Sequence, residues 1–156
     1  MKKTWITYLV WIAIAEIVGF ISGMMTSNAT EIYAQEITKP PLSPPGILFP
    51  IVWAILYALM GIGAARVYMS GVPKRKIALM LFGIQLAFNF AWSFIFFSYQ
   101  AFAFALLWLL ILYVLVVAMA RAFHSIDKWA GFLQIPYILW LTFAAYLNAG
   151  VWFLNQ

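Results

Sequence analysis

Cysteine is absent from the 156 residues, which excludes both a disulfide framework and a thiolate metal site. Charge is nearly as scarce: Asp, Glu, Lys and Arg make up 8% of the chain, whereas a soluble domain carries roughly 25%. A water-soluble surface cannot be made from so few ionic groups. The single histidine, His124, sits in a charged joint, and no carboxylate cluster accompanies it. Metal-assisted hydrolysis therefore lacks ligands, and neither a glycine-rich phosphate loop nor a nucleophile motif is present.

What fills the chain is apolar: 67% hydrophobic residues, 19% aromatic, and a mean hydropathy of +0.98. A bilayer core of about 30 Å takes about 20 apolar residues per crossing, so five crossings use most of the length. The expected architecture is all-α, a single transmembrane domain over residues 1–156. Its five helices are expected near 5–25, 46–69, 77–98, 102–123 and 129–153. The first segment is longer than a signal-peptide core and runs through Gly19 and Gly23 without a convincing cleavage site, so it reads as a retained helix. Short joints favour antiparallel neighbours, and the one long connection, 26–45, is expected as an external loop.

Lys2, Lys3, Arg66, Lys74, Arg75, Lys76, Arg121 and Lys128 fall on one side of the membrane and Lys39 alone on the other. This imbalance predicts an N-terminus inside and a C-terminus outside. It also accounts for the net charge of +5 without a nucleic-acid partner, and none is expected. Trp5, Trp129 and Trp152 mark segment ends and read as interfacial anchors.

Buried polar side chains are costly in hydrocarbon and show which face of a helix turns inward. At about 100° per residue, Gln85, Asn89, Trp92 and Phe96 form one stripe of the third helix. Gly83 and Ala87 lie opposite as a small-xxx-small pair, which serves either a dimer face or packing within the bundle; Gly19 and Gly23 present the same choice. Trp53, Tyr57, Gly61 and Ala64 share a face of the second helix, and Pro136, Trp140, Ala144 and Leu147 a face of the fifth. The amides serve either helix-to-helix hydrogen bonds or a ligand. Three such faces together predict an apolar slot with a few polar anchors, suited to a flat aromatic ligand.

Pro50 and Pro136 are expected to remove backbone hydrogen bonds and bend their helices. The segment 37–45 holds four prolines in nine positions, so it is stiff and extended, either a lid over the slot or a spacer. Glu16, in mid-segment, is expected either protonated or hydrogen-bonded to another helix. Glu31 and Glu36 are expected in solvent or capping a short helix.

In order along nearly the whole chain, several motifs resemble the translocator protein family, also called tryptophan-rich sensory proteins or peripheral benzodiazepine receptors. They are Lys39-Pro40 with Pro44-Pro45, then Pro50 with Trp53 and Tyr57. Gln85-x3-Asn89-x2-Trp92-x3-Phe96-Phe97 and Pro136-Tyr137-x2-Trp140-x2-Phe143-Ala144-x2-Leu147-Asn148 follow. The resemblance implies a five-helix bundle, often a homodimer, that binds protoporphyrin IX and other tetrapyrroles and accepts benzodiazepine-receptor-type drugs. It further implies light- and oxygen-dependent porphyrin breakdown, with Trp53 and Trp140 as the reacting tryptophans and no permanently bound cofactor. Tyr57, Asn89, Trp92, Phe96, Tyr137, Ala144 and Pro44 are the implied ligand contacts, and Gly83 and Ala87 the dimer candidates. A carrier or sensor of tetrapyrroles is the alternative. Leu42 stands where many relatives carry an aromatic residue. No Lys or Arg follows Tyr146, so a sterol motif is not expected, and a bacterial cytoplasmic membrane is the expected location.

Overall fold

The computed structural model describes residues 3–156; Lys2, counted in the charge asymmetry, lies outside the described residues. Among the described residues all regular structure is helical. The elements are α1 (Thr4–Met25), α2 (Ser27–Glu36), α3 (Leu48–Met69), α4 (Arg75–Ser93), α5 (Phe102–Ile126), α6 (Lys128–Phe132) and α7 (Ile135–Leu154). A π-helical turn, Phe94–Ser98, extends α4. Five helical stretches are long and apolar enough to cross a membrane: α1, α3, α4 with its π turn, α5, and α6 with α7. The fold is thus the expected five-span bundle.

Around the bundle, α1 packs on α3 and α4, α4 on α5, and α5 on α7, while α3 meets the last span chiefly through α6. Small residues set the closest approaches. A methyl at Gly61 would overlap the α1 backbone at Ile12, and one at Gly19 would overlap the Tyr57 ring. Across α4 and α5, Phe88 and Trp108 stack at 4.4 Å, and the Trp108 indole N–H donates to the Phe88 carbonyl at 2.8 Å.

Three local features differ from expectation. The long loop begins with α2, so only the strap from Ile37 to Ile47 is extended or turning, and Glu31 and Glu36 are exposed on α2. Neither proline interrupts a helix: Pro50 is the third residue of α3 and Pro136 the second of α7, where backbone N–H groups have no helical acceptor. The last span is broken instead at Leu133–Gln134. Asp127, in extended backbone, caps the short α6 by accepting from the Ala130 N–H at 3.0 Å, and α7 starts afresh beyond the break.

The π turn is the third. The Tyr99 N–H reaches the Phe94 carbonyl at 2.9 Å, five residues back, and Gln100 closes the turn with φ of 50°. The Ala101 N–H then bonds the Ile95 carbonyl at 3.1 Å, six residues back. That extra residue per turn rotates Phe96 and Phe97 toward Tyr33 of α2.

Candidate functional site

The centre of the bundle is a polar chain with every bond made. Tyr57 of α3 donates its hydroxyl to Asn89 Oδ1 at 2.6 Å. Asn89 Nδ2 donates to the Tyr137 hydroxyl oxygen at 2.8 Å, and Tyr137 donates to Gln85 Oε1 at 2.7 Å. Gln85 Nε2 lies 3.5 Å from Met60 Sδ. The two amides of α4 are thereby shared between phenols of α3 and α7, and all four side chains are buried. In this structure the amides bond from helix to helix. These four side chains occupy the centre of the bundle.

The open volume lies to one side. A cleft of about 380 Å³ separates α3 from α7, lined by Val52, Ile55, Leu56, Pro136, Leu139, Trp140 and Phe143. Trp140 lines it, and Trp53, outside the lining, packs against Trp140 with the rings 6.4 Å apart and nearly perpendicular at 86°. Trp53 stacks on Tyr57 at 5.5 Å and sets its edge to Tyr137 at 6.1 Å, so the indole pair abuts the polar chain. Phe49 closes on Trp140 at 5.8 Å. Such edge-on and stacked pairs are the preferred aromatic geometries. Ala144, one turn beyond Trp140, is buried in the main core beside them.

The other expected contacts separate from this pair. Trp92 stacks on Phe96 at 4.9 Å, and Phe96 packs on Tyr33 and Phe102, forming a second aromatic cluster under α2. The Trp92 indole N–H donates to Asn148 Oδ1 at 3.2 Å, which holds the ring on that side. Burial there pushes the Tyr33 phenol above its ordinary range. Pro44 is half-buried in the strap, outside the residues that line the cleft. Gly83 and Ala87 are exposed, and a methyl at Gly83 would meet nothing, so this pair does not pack within the bundle. Gly19 does, against Tyr57.

Several residues that position the site carry no pattern in the sequence. Gln134, wholly buried at the α6–α7 break, donates from Nε2 to the Ala130 carbonyl at 3.1 Å and the Leu59 carbonyl at 3.4 Å, tying α3 to the last span. A methyl at Gly63 would collide with that amide. Nearer the basic end, Arg66 Nε lies 3.1 Å from each carboxylate oxygen of Asp127, and Nη2 lies 3.0 Å from Oδ2. Burial raises the Asp127 carboxyl, but the Arg66 bonds and charge and the Ala130 N–H outweigh it and leave the group below its ordinary range. Asp127 just before a helical run was a legible cap signal; its ion pair was not. Groups of three metal-ligating side chains are absent among the described residues.

These features define a multi-pass helical membrane protein with a hydrogen-bonded Tyr57–Asn89–Tyr137–Gln85 chain at its centre and an aromatic cleft opening between two spans. Residues 11–153 match the TspO/MBR family. Relatives extend over nearly the full chain. A tryptophan-rich protein TspO of Chlorobaculum tepidum is 35% identical, with 99% of each chain covered. A tryptophan-rich sensory protein of Cereibacter sphaeroides is 32% identical, covering 95% of this chain and 90% of its own. A translocator protein of Bos taurus is 31% identical over 100% of this chain and 94% of its own. The chain belongs to the TspO/MBR family.

Proposed function

We propose that this protein binds tetrapyrroles, protoporphyrin IX foremost, against the Trp53–Trp140 pair and promotes their photo-oxidative breakdown. The observation that carries this reading is the perpendicular indole pair, one member of which, Trp140, lines an apolar cleft. At about 380 Å³ the cleft is at the small end of ligand pockets, about 300–1,000 Å³, so it accepts one edge of a macrocycle and leaves the rest in lipid. The excited porphyrin supplies the reactivity; the protein holds it beside oxidisable rings and excludes water. One electron passes from an indole through the excited porphyrin to dioxygen, giving superoxide. The indole radical cation then takes an electron back from the porphyrin, and the porphyrin radical cation combines with superoxide, so that one porphyrin takes up one dioxygen and the indole is restored. Benzodiazepine-receptor-type drugs, flat and lipophilic, suit the same cleft.

The test is a titration with protoporphyrin IX in detergent, followed by illumination and product analysis. Trp53→Phe with Trp140→Phe is expected to keep porphyrin binding and lose illuminated product. Unchanged product would remove both indoles from the chemistry. The second reading, a carrier without catalysis, draws on the sideways opening of the cleft. Porphyrin flux through liposomes in darkness separates the two, since a degrading protein gives the flux of empty liposomes.

The charge asymmetry supports a cytoplasmic basic end and an external strap, and the bacterial relatives favour a bacterial cytoplasmic membrane. Labelling of single cysteines at Ser125 and Leu42 from either side reports this orientation. The exposed Gly83 and Ala87 support a homodimer through that face of α4.

A further inference from the structure

The seam between α3 and the last span has three parts. At the basic end it is fastened by the Arg66–Asp127 ion pair and by Gln134 on the Leu59 carbonyl. At the other end it is roofed by the strap. The Thr38 N–H donates to Asn155 Oδ1 at 3.0 Å, and Asn155 Nδ2 returns a bond to the Thr38 carbonyl at 2.7 Å. The Tyr146 hydroxyl donates to the Pro41 carbonyl at 2.7 Å, and the Pro40 ring lies so close to Gly150 that a methyl there would overlap it. Between these fastenings stands the cleft. Ile55 and Leu139 flank it, 56% and 64% exposed, and among the described residues no hydrogen bond joins Leu48–Leu56 to Pro136–Phe143.

We propose that this side window is the route by which a lipophile dissolved in the bilayer reaches the indole pair, passing between α3 and α7 and not beneath the strap. The ligand assumed is the tetrapyrrole of the preceding section, and the route rests on that reading. Lifting the strap breaks three hydrogen bonds and separates Pro40 from Gly150. Parting Ile55 from Leu139 breaks none, and exposed side chains change rotamer in picoseconds to nanoseconds. An apolar macrocycle also concentrates in hydrocarbon, so the window meets it where it already is. The flanking residues lie within membrane-spanning stretches, so the phase outside the window is lipid.

The absence of native cysteine makes the route testable, because any disulfide is an introduced one. The Asn155 side chain bonds the Thr38 backbone, which makes this pair the choice for a cross-link; a disulfide needs about 4.4–6.8 Å between Cα atoms. Thr38→Cys with Asn155→Cys locks the strap on oxidation and frees it on reduction. Leu139→Trp plugs the window and Leu139→Ala widens it; the position is exposed, so the core is untouched.

Association of protoporphyrin IX with protein in lipid nanodiscs is followed in darkness by stopped flow, from the porphyrin's own absorption. Locking the strap is expected to change the rate less than about twofold, whereas Leu139→Trp slows it about tenfold and Leu139→Ala speeds it. A rate that collapses on oxidation and recovers with reductant overturns the proposal, as do Leu139 variants that associate at the parent rate. Should Leu139→Trp not fold, the alanine variant and the reversible disulfide decide the matter. A parent protein that binds no protoporphyrin at equilibrium refutes the ligand reading itself, a result distinct from binding by another route.

Discussion

Removing the Tyr137 hydroxyl tests whether the polar chain holds the bundle together. Tyr137→Phe deletes two bonds, leaving Asn89 Nδ2 without an acceptor and Gln85 Oε1 without a donor; Tyr57→Phe deletes one, stranding only Asn89 Oδ1. Water cannot replace either, because Gln85 and Asn89 are 0% and 4% exposed. A stranded buried group costs about 1–3 kcal/mol in soluble proteins. In a membrane the unfolded helices also find partners, and bonds between spans average about 0.6 kcal/mol with a ceiling of about 1.7. The membrane figure is the applicable one, so Tyr57→Phe is expected to cost about 0.6–1.7 kcal/mol and Tyr137→Phe about twice that. Unfolding by SDS in mixed micelles, followed by circular dichroism, measures both. Tyr113→Phe is the control: its hydroxyl meets Thr142 Oγ1 at 3.3 Å in an exposed position, and its change is expected within about 0.5 kcal/mol. Equal costs for the two central tyrosines, or a larger cost for Tyr57→Phe, would refute the two-against-one accounting.

Asp127, held below its ordinary range in the folded protein, contributes stability that is present above the unfolded carboxylate pKa and is lost as pH falls through the lower folded value. Unfolding measured from neutral pH down to about 3 is expected to show that loss below about pH 4, and Asp127→Asn is expected to flatten it; a parent whose stability is flat over this range contradicts the assignment. At the opposite face, Gly83→Leu is expected to leave monomer stability within about 0.5 kcal/mol, because nothing packs there, while lowering dimer yield in chemical crosslinking. Undiminished crosslinking would exclude that face from the dimer.

The helical period alone put Gln85, Asn89, Trp92 and Phe96 on one stripe, and that stripe does face inward: three of them are buried and Trp92 half-buried. It could not say that the amides would meet the hydroxyls of Tyr57 and Tyr137, since partners 32 to 52 residues away leave no local signature. Phe96 shared the stripe yet joined another cluster, because the π turn changes the period beyond Ser93 and α2 brings Tyr33 to it, while Trp92, ahead of the turn, packs on both clusters. Pro136 read as a kink because its neighbours look uniformly helical; the actual break depends on Asp127 capping a five-residue helix and on Gln134 reaching across to α3.

Hydropathy and helical period suffice to show that the chain spans a membrane five times, and which polar residues turn away from lipid. Both follow from transfer free energies, which are local to each segment. Where the spans touch and where they part was decided only in the tertiary structure. In lipid, apolar side chains suit the core and the outer surface equally, so hydropathy cannot tell a packed seam from an open one. That choice is made by shape: Gly61 admits α1, Gly63 admits Gln134, and the rings of Phe49, Trp53 and Trp140 stand between α3 and α7 beside the cleft.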